Sequence, residues 1–234
     1  GDSHRYTIDT VSVSNCTGTF SESAFLIGII TGSKPNSVAS LTVTDCNLTS
    51  LAVLAIAENF GTIVLTNVTF TPADSGVIWT PPQANKTCAF VRPSPLYGTV
   101  PFVGASLSFN NCTIYRDSGR AVLGLSLQND SAIQELAFNG FAVQEAGHYE
   151  PIPELIDIGA GSIGQLVLNS LNSNSISAPV ARGGFADVGT VSGTGVLATG
   201  WGFPDAVMAN GVPYISANSG MPSINVDGLA EPYP

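Results

Sequence analysis

The sequence contains few charged residues, and basic residues are the scarcest of them. Lysine and arginine together number 7 and the acidic residues 17, so the 234-residue chain has a formal net charge of −10. Lysine and arginine form no cluster, which argues against a basic surface for nucleic acid or an anionic membrane. The longest apolar run, Ala24–Ile30, is far too short to span a bilayer. We therefore predict no nucleic-acid partner and no membrane insertion.

Cysteine and histidine are rare as well, at four and two residues. The sequence has no Cys-x-x-Cys pair and no cysteine–histidine cluster with the spacing of a metal site, so we predict no metal and no bound cofactor. Three of the four cysteines nevertheless share one context. Cys16, Cys46 and Cys112 each follow an asparagine or aspartate that ends an alternating apolar segment.

This context is part of a longer repeat. We call the residue that follows each alternating segment its corner residue. The corner residues are Asn15, Asp45, Asn67, Asn111, Gly140, Ser170 and Gly193. The steps between them are 30, 22, 44, 29, 30 and 23 residues. Most steps match one turn of a parallel β-helix, because parallel strands need long crossovers rather than hairpins. The sequence therefore predicts an all-β solenoid of about seven rungs, with the proline-rich residues 71–87 inserted as a loop in the longest step.

Stacking the repeats in this register produces columns of similar side chains. Two alternating columns are apolar and are predicted to face the core, namely Val11, Leu41, Ile63, Leu107, Leu136 and Leu166, and then Val13, Val43, Leu65, Phe109, Phe138 and Leu168. Cys16, Cys46 and Cys112 alternate with hydrophobic residues in a third column, which predicts reduced, inaccessible core thiols. Cys88 lies outside this column and is either free or paired. We expect the corner residues to be buried, so that no glycan would fit on the sequons at Asn15, Asn67 and Asn111.

A second series of strands is apolar or small on both faces, and a strand of this kind is covered on both faces. One cover is the helix interior, and the other is a loop, the C-terminal segment or another chain. Cyclic symmetry would let such strips meet around an axis, so we expect a homotrimer. The five segments of the series are Ala24–Ile30, Leu51–Ala57, Cys88–Val91, Ala121–Leu127 and Glu154–Gly159.

The two ends of the repeat differ. Periodicity fades after about residue 195, so residues 1–195 are predicted to form the β-helix. Residues 196–234 are rich in proline and glycine but keep Trp201 and Phe203, which predicts a C-terminal capping or oligomerisation segment. At the other end the repeat begins almost at once. We expect either that a partner covers this end or that the chain continues a longer one.

The rungs of the type Leu-x-Val-x-Asn-Cys resemble those of the right-handed parallel β-helix proteins of the pectin-lyase-like superfamily. The resemblance covers about residues 6–195 and concerns the fold. It implies a right-handed solenoid, and the superfamily includes polysaccharide lyases, glycoside hydrolases and trimeric bacteriophage tailspikes. The low lysine content and the doubly apolar strands are most like the C-terminal part of a tailspike.

The connections after the corner vary in length and are predicted to carry the functional residues, since binding residues concentrate in loops on rigid scaffolds. The stretches 71–87, 113–120 and 144–153 fall on the same side of successive rungs and should wall a groove. The candidate catalytic carboxyls there are Asp74, Asp117, Glu145 and Glu150. The candidate substrate-binding residues are Trp79, Tyr115, Arg116, Arg120, His148 and Tyr149.

Aromatic rings and paired acids are the groups that a sugar site requires. Rings offer flat apolar area to a sugar, and glycoside hydrolysis uses two carboxyls about 5–5.5 Å or about 6.5–9.5 Å apart. A simpler interpretation stays open for each residue. Arg116, Asp117 and Arg120 would form a solvated patch of ion pairs, His148 would be an ordinary loop residue, and Trp79 would pack locally.

Three function classes therefore remain. The first is a trimeric glycan-recognition protein on a virion surface or outside the cell, such as a portion of a phage tailspike that acts on bacterial surface polysaccharide. The second is a complete secreted polysaccharide hydrolase or lyase; with only Lys34 and Lys86 as lysines, the lyase is disfavoured. The third is a structural shaft or adhesin without a ligand site, against which the 71–87 insertion argues. Glycan recognition is favoured, with enzymatic activity left open.

Overall fold

Parallel strands recur along the chain and stack in the computed structural model. The structure describes both backbone and side chains for residues 8–20, 22–27, 38–73, 88–93, 101–117, 122–127, 130–147, 155–158 and 161–170. It describes the backbone alone for residues 7, 37, 172–173, 178–179, 181–182, 188–194, 201–202, 208–209, 212–213 and 223–226. Within these ranges, no helix has the length and apolar character needed to cross a membrane.

The first sheet, sheet A, contains the alternating segments of the repeat. Its eight described strands are all parallel and pair in chain order. They are β1 (Thr7–Ser14), β4 (Ser37–Thr44), β7 (Phe60–Thr66), β10 (Val103–Asn110), β13 (Ala132–Asn139), β16 (Ser162–Asn169), β20 (Val188–Thr194) and β24 (Ser223–Val226). The last of these strands lies beyond residue 195, so the sheet extends into the segment predicted as a cap. The domain boundary itself stays a prediction.

Two further parallel sheets of six described strands each complete the rungs. Sheet B follows the corner and contains β2 (Thr17–Thr19), β5 (Asn47–Ser50), β8 (Thr69–Pro72), β11 (Thr113–Arg116), β14 (Ala142–Glu145) and β17 (Asn172–Ser173). Sheet C contains β3 (Ser23–Ile27), β6 (Ala52–Ile56), β9 (Cys88–Pro93), β12 (Val122–Ser126), β15 (Ile156–Asp157) and β19 (Ala181–Arg182). Three strands per turn in parallel register make a parallel β-helix solenoid, which confirms the predicted fold class.

Four short strands form two separate pairs. The strand β18 pairs in parallel with β21, and β22 pairs with β23 in antiparallel fashion. Their bounds are Ala178–Pro179 for β18, Trp201–Gly202 for β21, Met208–Ala209 for β22 and Val212–Pro213 for β23.

The register of sheet A is the one predicted from the repeat as far as β16. The predicted corner at Gly193 is wrong, because Gly193 pairs with Leu168 inside β20, two residues before the corner position. Val11 pairs with Leu41, Leu41 with Ile63, and the column continues through Leu107, Leu136 and Leu166. From the second rung onwards its side chains are buried, and each buried side chain of this kind stabilises by about 1.5–3 kcal/mol. The rings of Phe109 and Phe138 stack with centroids 4.6 Å apart in the neighbouring column.

The corner after each of the first six strands of sheet A adopts a left-handed backbone, including Ser170 after β16 with φ of 54°. Asn15 and Asp45 have φ of 55°, Asn67 of 53°, Asn111 of 52° and Gly140 of 68°. Asparagine, aspartate and glycine tolerate this conformation best, whereas most residues lose about 1–2 kcal/mol in it. The physical reason for the repeated corner residue is therefore the backbone.

The expectation that the corner is buried is wrong. Asn15, Asn67 and Asn111 are exposed, because the left-handed turn directs their side chains away from the core. Burial therefore does not exclude glycans at these three sequons. Amide ladders do form, from Asn67 to Asp45 at 2.9 Å and, one residue before the corner, from Asn139 to Asn110 at 2.9 Å.

Three strands of sheet C, β6, β9 and β12, are buried on both faces, as their composition predicted, whereas β3 is half-buried with Leu26 exposed. All residues of β6, β9 and β12 are buried, and successive side chains point to opposite faces. This burial is that of the single chain, so the second cover comes from the chain itself. The apolar strip that motivated the homotrimer is thus already covered in the monomer at Ala52, Leu54 and Val122.

Candidate functional site

The site is built on sheet B, which the sequence analysis did not recognise as a separate sheet. Residues 113–116 and 144–145, predicted as connections, are the strand β11 and the end of β14. Alternation along these short strands directs one set of side chains into the core, namely Leu48, Phe70, Ile114 and Val143, which are fully buried. The alternate set points outward.

One outward row of sheet B carries the candidate tyrosine. Tyr115 pairs in register with Gln144, and Thr49 pairs with Thr71 on the other side. Ile114 pairs with Phe70 on the neighbouring strand β8. The same register, continued by one residue, places Tyr115 beside Thr71. Neighbouring strands are about 4.8 Å apart, so the row presents a ring flanked by a hydroxyl and an amide.

Tyr115 is unusual on this surface. Its exposed fraction is 39%, and among the exposed large apolar side chains of the described residues it alone is aromatic; the others are Ile8, Leu26 and Val103. Gln144 is exposed and Thr71 is half-buried. The arrangement offers a flat apolar ring with neutral hydrogen-bonding groups on both sides, which suits a ligand that is partly apolar and rich in hydroxyls.

Arg116 and Glu145 lie next to this row but face the other way. They share the side of β11 and β14 that carries the buried Ile114 and Val143. The Nη1 atom of Arg116 donates a hydrogen bond to Oε1 of Glu145, and their side chains are 1% and 5% exposed. The structure thus joins two predicted site residues in a buried ion pair. This geometry favours a structural role for Glu145 over that of a proton donor to a ligand.

Asp117 follows β11 directly and is exposed. Of the two candidate carboxyls that the structure describes, Asp117 is the one that a ligand on the outer face of sheet B can reach. The other six candidates lie outside the described residues, namely Asp74, Trp79, Arg120, His148, Tyr149 and Glu150. Their roles stay predictions.

The three stretches that contain these six residues follow neighbouring strands of sheet B. Each one leaves a strand of sheet B, namely β8, β11 or β14, and leads to the strand of sheet C in the same rung. Because β11 pairs with β8 on one side and with β14 on the other, the ends of the three strands are stacked along one corner of the solenoid. Tyr115 and Asp117 lie beside that corner.

In the described part of the chain, no three His, Cys, Asp or Glu side chains are grouped so that they could hold a metal ion.

Two residues beside the ring were not predicted from the sequence, namely Thr71 and Gln144. The alternation in "TFTP" and "AVQE" is the signal that could have identified both as outward positions of short strands.

In comparisons with known proteins, no family model, no curated protein and no solved structure matches this chain.

Proposed function

We propose that this β-helix recognises a glycan on the outer face of sheet B, at the row that contains Tyr115. The observation that carries the proposal is the exposed ring of Tyr115, set between Thr71 and Gln144. A sugar presents apolar C–H faces that stack on an aromatic ring and hydroxyl groups that bond to amides and hydroxyls. The net charge of −10 disfavours strongly acidic glycans, so the preferred ligand is a neutral oligosaccharide.

The finer assignment rests on the repeat and its resemblance. A parallel β-helix with few lysines, stacked departure points for variable connections and an outward sugar-binding row suits a portion of a phage tailspike or receptor-binding protein. Its ligand is then bacterial surface polysaccharide, and its location is the virion surface or the extracellular space. The alternative is a secreted polysaccharide hydrolase or lyase, and the third possibility is a shaft without a ligand site.

Binding is proposed ahead of hydrolysis because of the carboxyl inventory. Hydrolysis needs two available carboxyl groups, commonly one as a general acid. The Glu145 carboxylate is buried and bound to Arg116. Of the two candidate carboxyls that the structure describes, Asp117 is therefore the exposed one. A hydrolase would therefore have to combine Asp117 with Asp74 or Glu150.

The test compares Tyr115→Ala with Leu26→Ala on a bacterial glycan array and in a titration with the best oligosaccharide. Leu26 is the matched control, since it is also 39% exposed but lies on sheet C. Loss of binding by about tenfold or more in Tyr115→Ala alone is expected, because ring stacking contributes roughly 1.5 kcal/mol beyond area burial. Equal binding by both variants would refute the site.

A reducing-end assay on the same polysaccharides separates binding from catalysis. The proposal expects no new reducing ends from the wild-type protein. If they form, Asp117→Asn identifies whether the exposed carboxylate takes part, since a general acid acts mainly in the transition state and its amide should retain binding.

A further inference from the structure

Two of the four cysteines lie one above the other in the first two described rungs. Cys16 and Cys46 each follow a left-handed corner, and the N–H of Asn47 donates to the carbonyl of Cys16 at 2.8 Å, which aligns the two turns. The N–H of Cys16 also lies 3.4 Å from the Sγ atom of Cys46. Stacked parallel strands are about 4.8 Å apart, within the Cα separation of about 4.4–6.8 Å that disulfides span.

The two thiols differ in access. Cys46 is buried beneath the edge rung, whereas Cys16 is only half-buried because its strands β1 and β2 are the first of their described sheets. The expectation that all three column thiols are inaccessible is therefore wrong for Cys16. Cys88, which lies outside the column, is fully buried, as is Cys112.

The column isolates this pair from the third cysteine. Val68 occupies the next rung after Cys46, and Cys112 follows one rung later. Two rung spacings place Cys112 about 10 Å from Cys46, too far for a disulfide without movement of the backbone. Only one pair of column thiols is therefore adjacent.

We propose that Cys16 and Cys46 are an oxidisable pair that forms a disulfide between the first two rungs when the protein meets a hydroperoxide. The Cys16 thiolate attacks the hydroperoxide oxygen, the O–O bond breaks, and water or an alcohol leaves with a proton from solvent. The resulting sulfenic acid is attacked by the Cys46 sulfur, and its hydroxyl leaves as water with the Cys46 proton. The peroxide gains the two electrons that the two thiols lose.

The order of attack follows from the surroundings of the two thiols. A peroxide reaches the half-buried Cys16 first, since thiol oxidation follows exposure and thiolate character. Burial raises the pKa of Cys46, which keeps that thiol protonated and unreactive until the sulfenic acid forms beside it. Cys46 is thus the resolving thiol.

The disulfide would reinforce the first rung of the described solenoid, which is less buried than the second. Val11, Val13 and Phe25 pack on the core but are half-buried, whereas their register partners Leu41, Val43 and Leu54 are buried. An edge rung with fewer packed neighbours opens more readily than an interior one. A covalent link from Cys16 to Cys46 joins it to a rung whose core positions are fully packed.

The test exposes the reduced native protein to graded hydrogen peroxide, followed by alkylation and peptide mapping. The expected product is an intramolecular Cys16–Cys46 link that dithiothreitol reverses, formed before any loss of the Cys88 and Cys112 thiols. Cys16→Ser should abolish the link, and Cys112→Val should retain it, since valine already occupies that column at Val68. Conversion of Cys16 to the sulfinic acid with Cys46 still reduced, or a link to another chain, would overturn the proposal.

Hydrogen exchange measures the consequence for the edge rung. Amides of β1 should exchange more slowly after oxidation of the wild-type protein, and this protection should be absent in Cys16→Ser treated in the same way. A link that forms without slowing exchange in β1 would overturn the reinforcing role.

Discussion

Arg116 and Glu145 occupy the same register position on neighbouring strands of sheet B, and the guanidinium donates to the Glu145 carboxylate with both side chains almost wholly buried. The pair lies directly behind the outward Tyr115 and Gln144. It therefore fixes the two strands that present the proposed sugar-binding row. Glu145, one of the four carboxyls predicted as catalytic candidates, is thus held in a buried ion pair.

The first prediction concerns this ion pair. Glu145→Gln or Arg116→Met should lower the free energy of unfolding by roughly 3–5 kcal/mol, because each leaves a buried charge without its partner. The double variant that combines Arg116→Met with Glu145→Leu should recover most of that loss, since it removes both charges and keeps apolar volume. Urea unfolding of the wild type and the three variants measures the effect. A Glu145→Gln protein of unchanged stability would show that the pair is not formed in solution.

The second prediction concerns the left-handed corner. Asn111→Ala should destabilise by about 1–2 kcal/mol, whereas Asn111→Gly should be nearly neutral, because glycine adopts positive φ without steric cost. Ser108→Ala, on the same strand but with an ordinary backbone, is the control. Thermal or urea unfolding provides the comparison. Equal losses for alanine and glycine would mean that the side-chain amide, rather than the backbone, determines the residue.

The third prediction is a dependence of stability on pH at Cys112. Burial raises the pKa of this thiol to about 12 from an ordinary value of 9.0. Between these values the unfolded chain has lost the proton that the folded protein retains. The free energy of unfolding should therefore fall as pH rises from 9 to 12, by at most about 1.4 kcal/mol per pH unit.

Cys112→Val is the control for this pH effect, since other groups titrate in the same range. The difference in unfolding free energy between the wild type and this variant should be constant below pH 9 and should shrink or change sign above it. A difference that does not vary with pH would mean that the Cys112 thiol ionises equally in both states.

The fourth prediction is that the protein forms a homotrimer, but not through the apolar strip on sheet C. The strip on β6, β9 and β12 is covered within one chain, so a three-fold contact would have to use another surface. Sedimentation velocity at micromolar concentration should give a species of three times the monomer mass. A monomer under these conditions would remove the prediction.

Part of the site could be anticipated from the sequence and part could not. The corner residues up to Ser170 followed from the repeat. Tyr115 was among the aromatic residues that the sequence placed on one side of the helix, and the structure shows its side chain exposed; its role in binding stays a prediction. Whether a residue of "TIYR" faces inward or outward depends on where the short strand β11 begins. The sequence analysis treated that stretch as a connection, and so it could not separate the exposed Tyr115 from the buried Arg116.

The sequence by itself determined the register of sheet A as far as β16 and the positions of its first six corners. Period-two alternation specifies which face of a strand is buried, and the left-handed backbone selects asparagine, aspartate or glycine at the turn; both are local properties of the chain. Only the tertiary structure decided the cover over sheet C, the burial of the Arg116–Glu145 pair and the partial exposure of Cys16. The repeat places residues 29 or 30 apart on neighbouring rungs, but it does not specify which way the short strands of sheet B face or what covers each rung, and these depend on the packing of the whole chain.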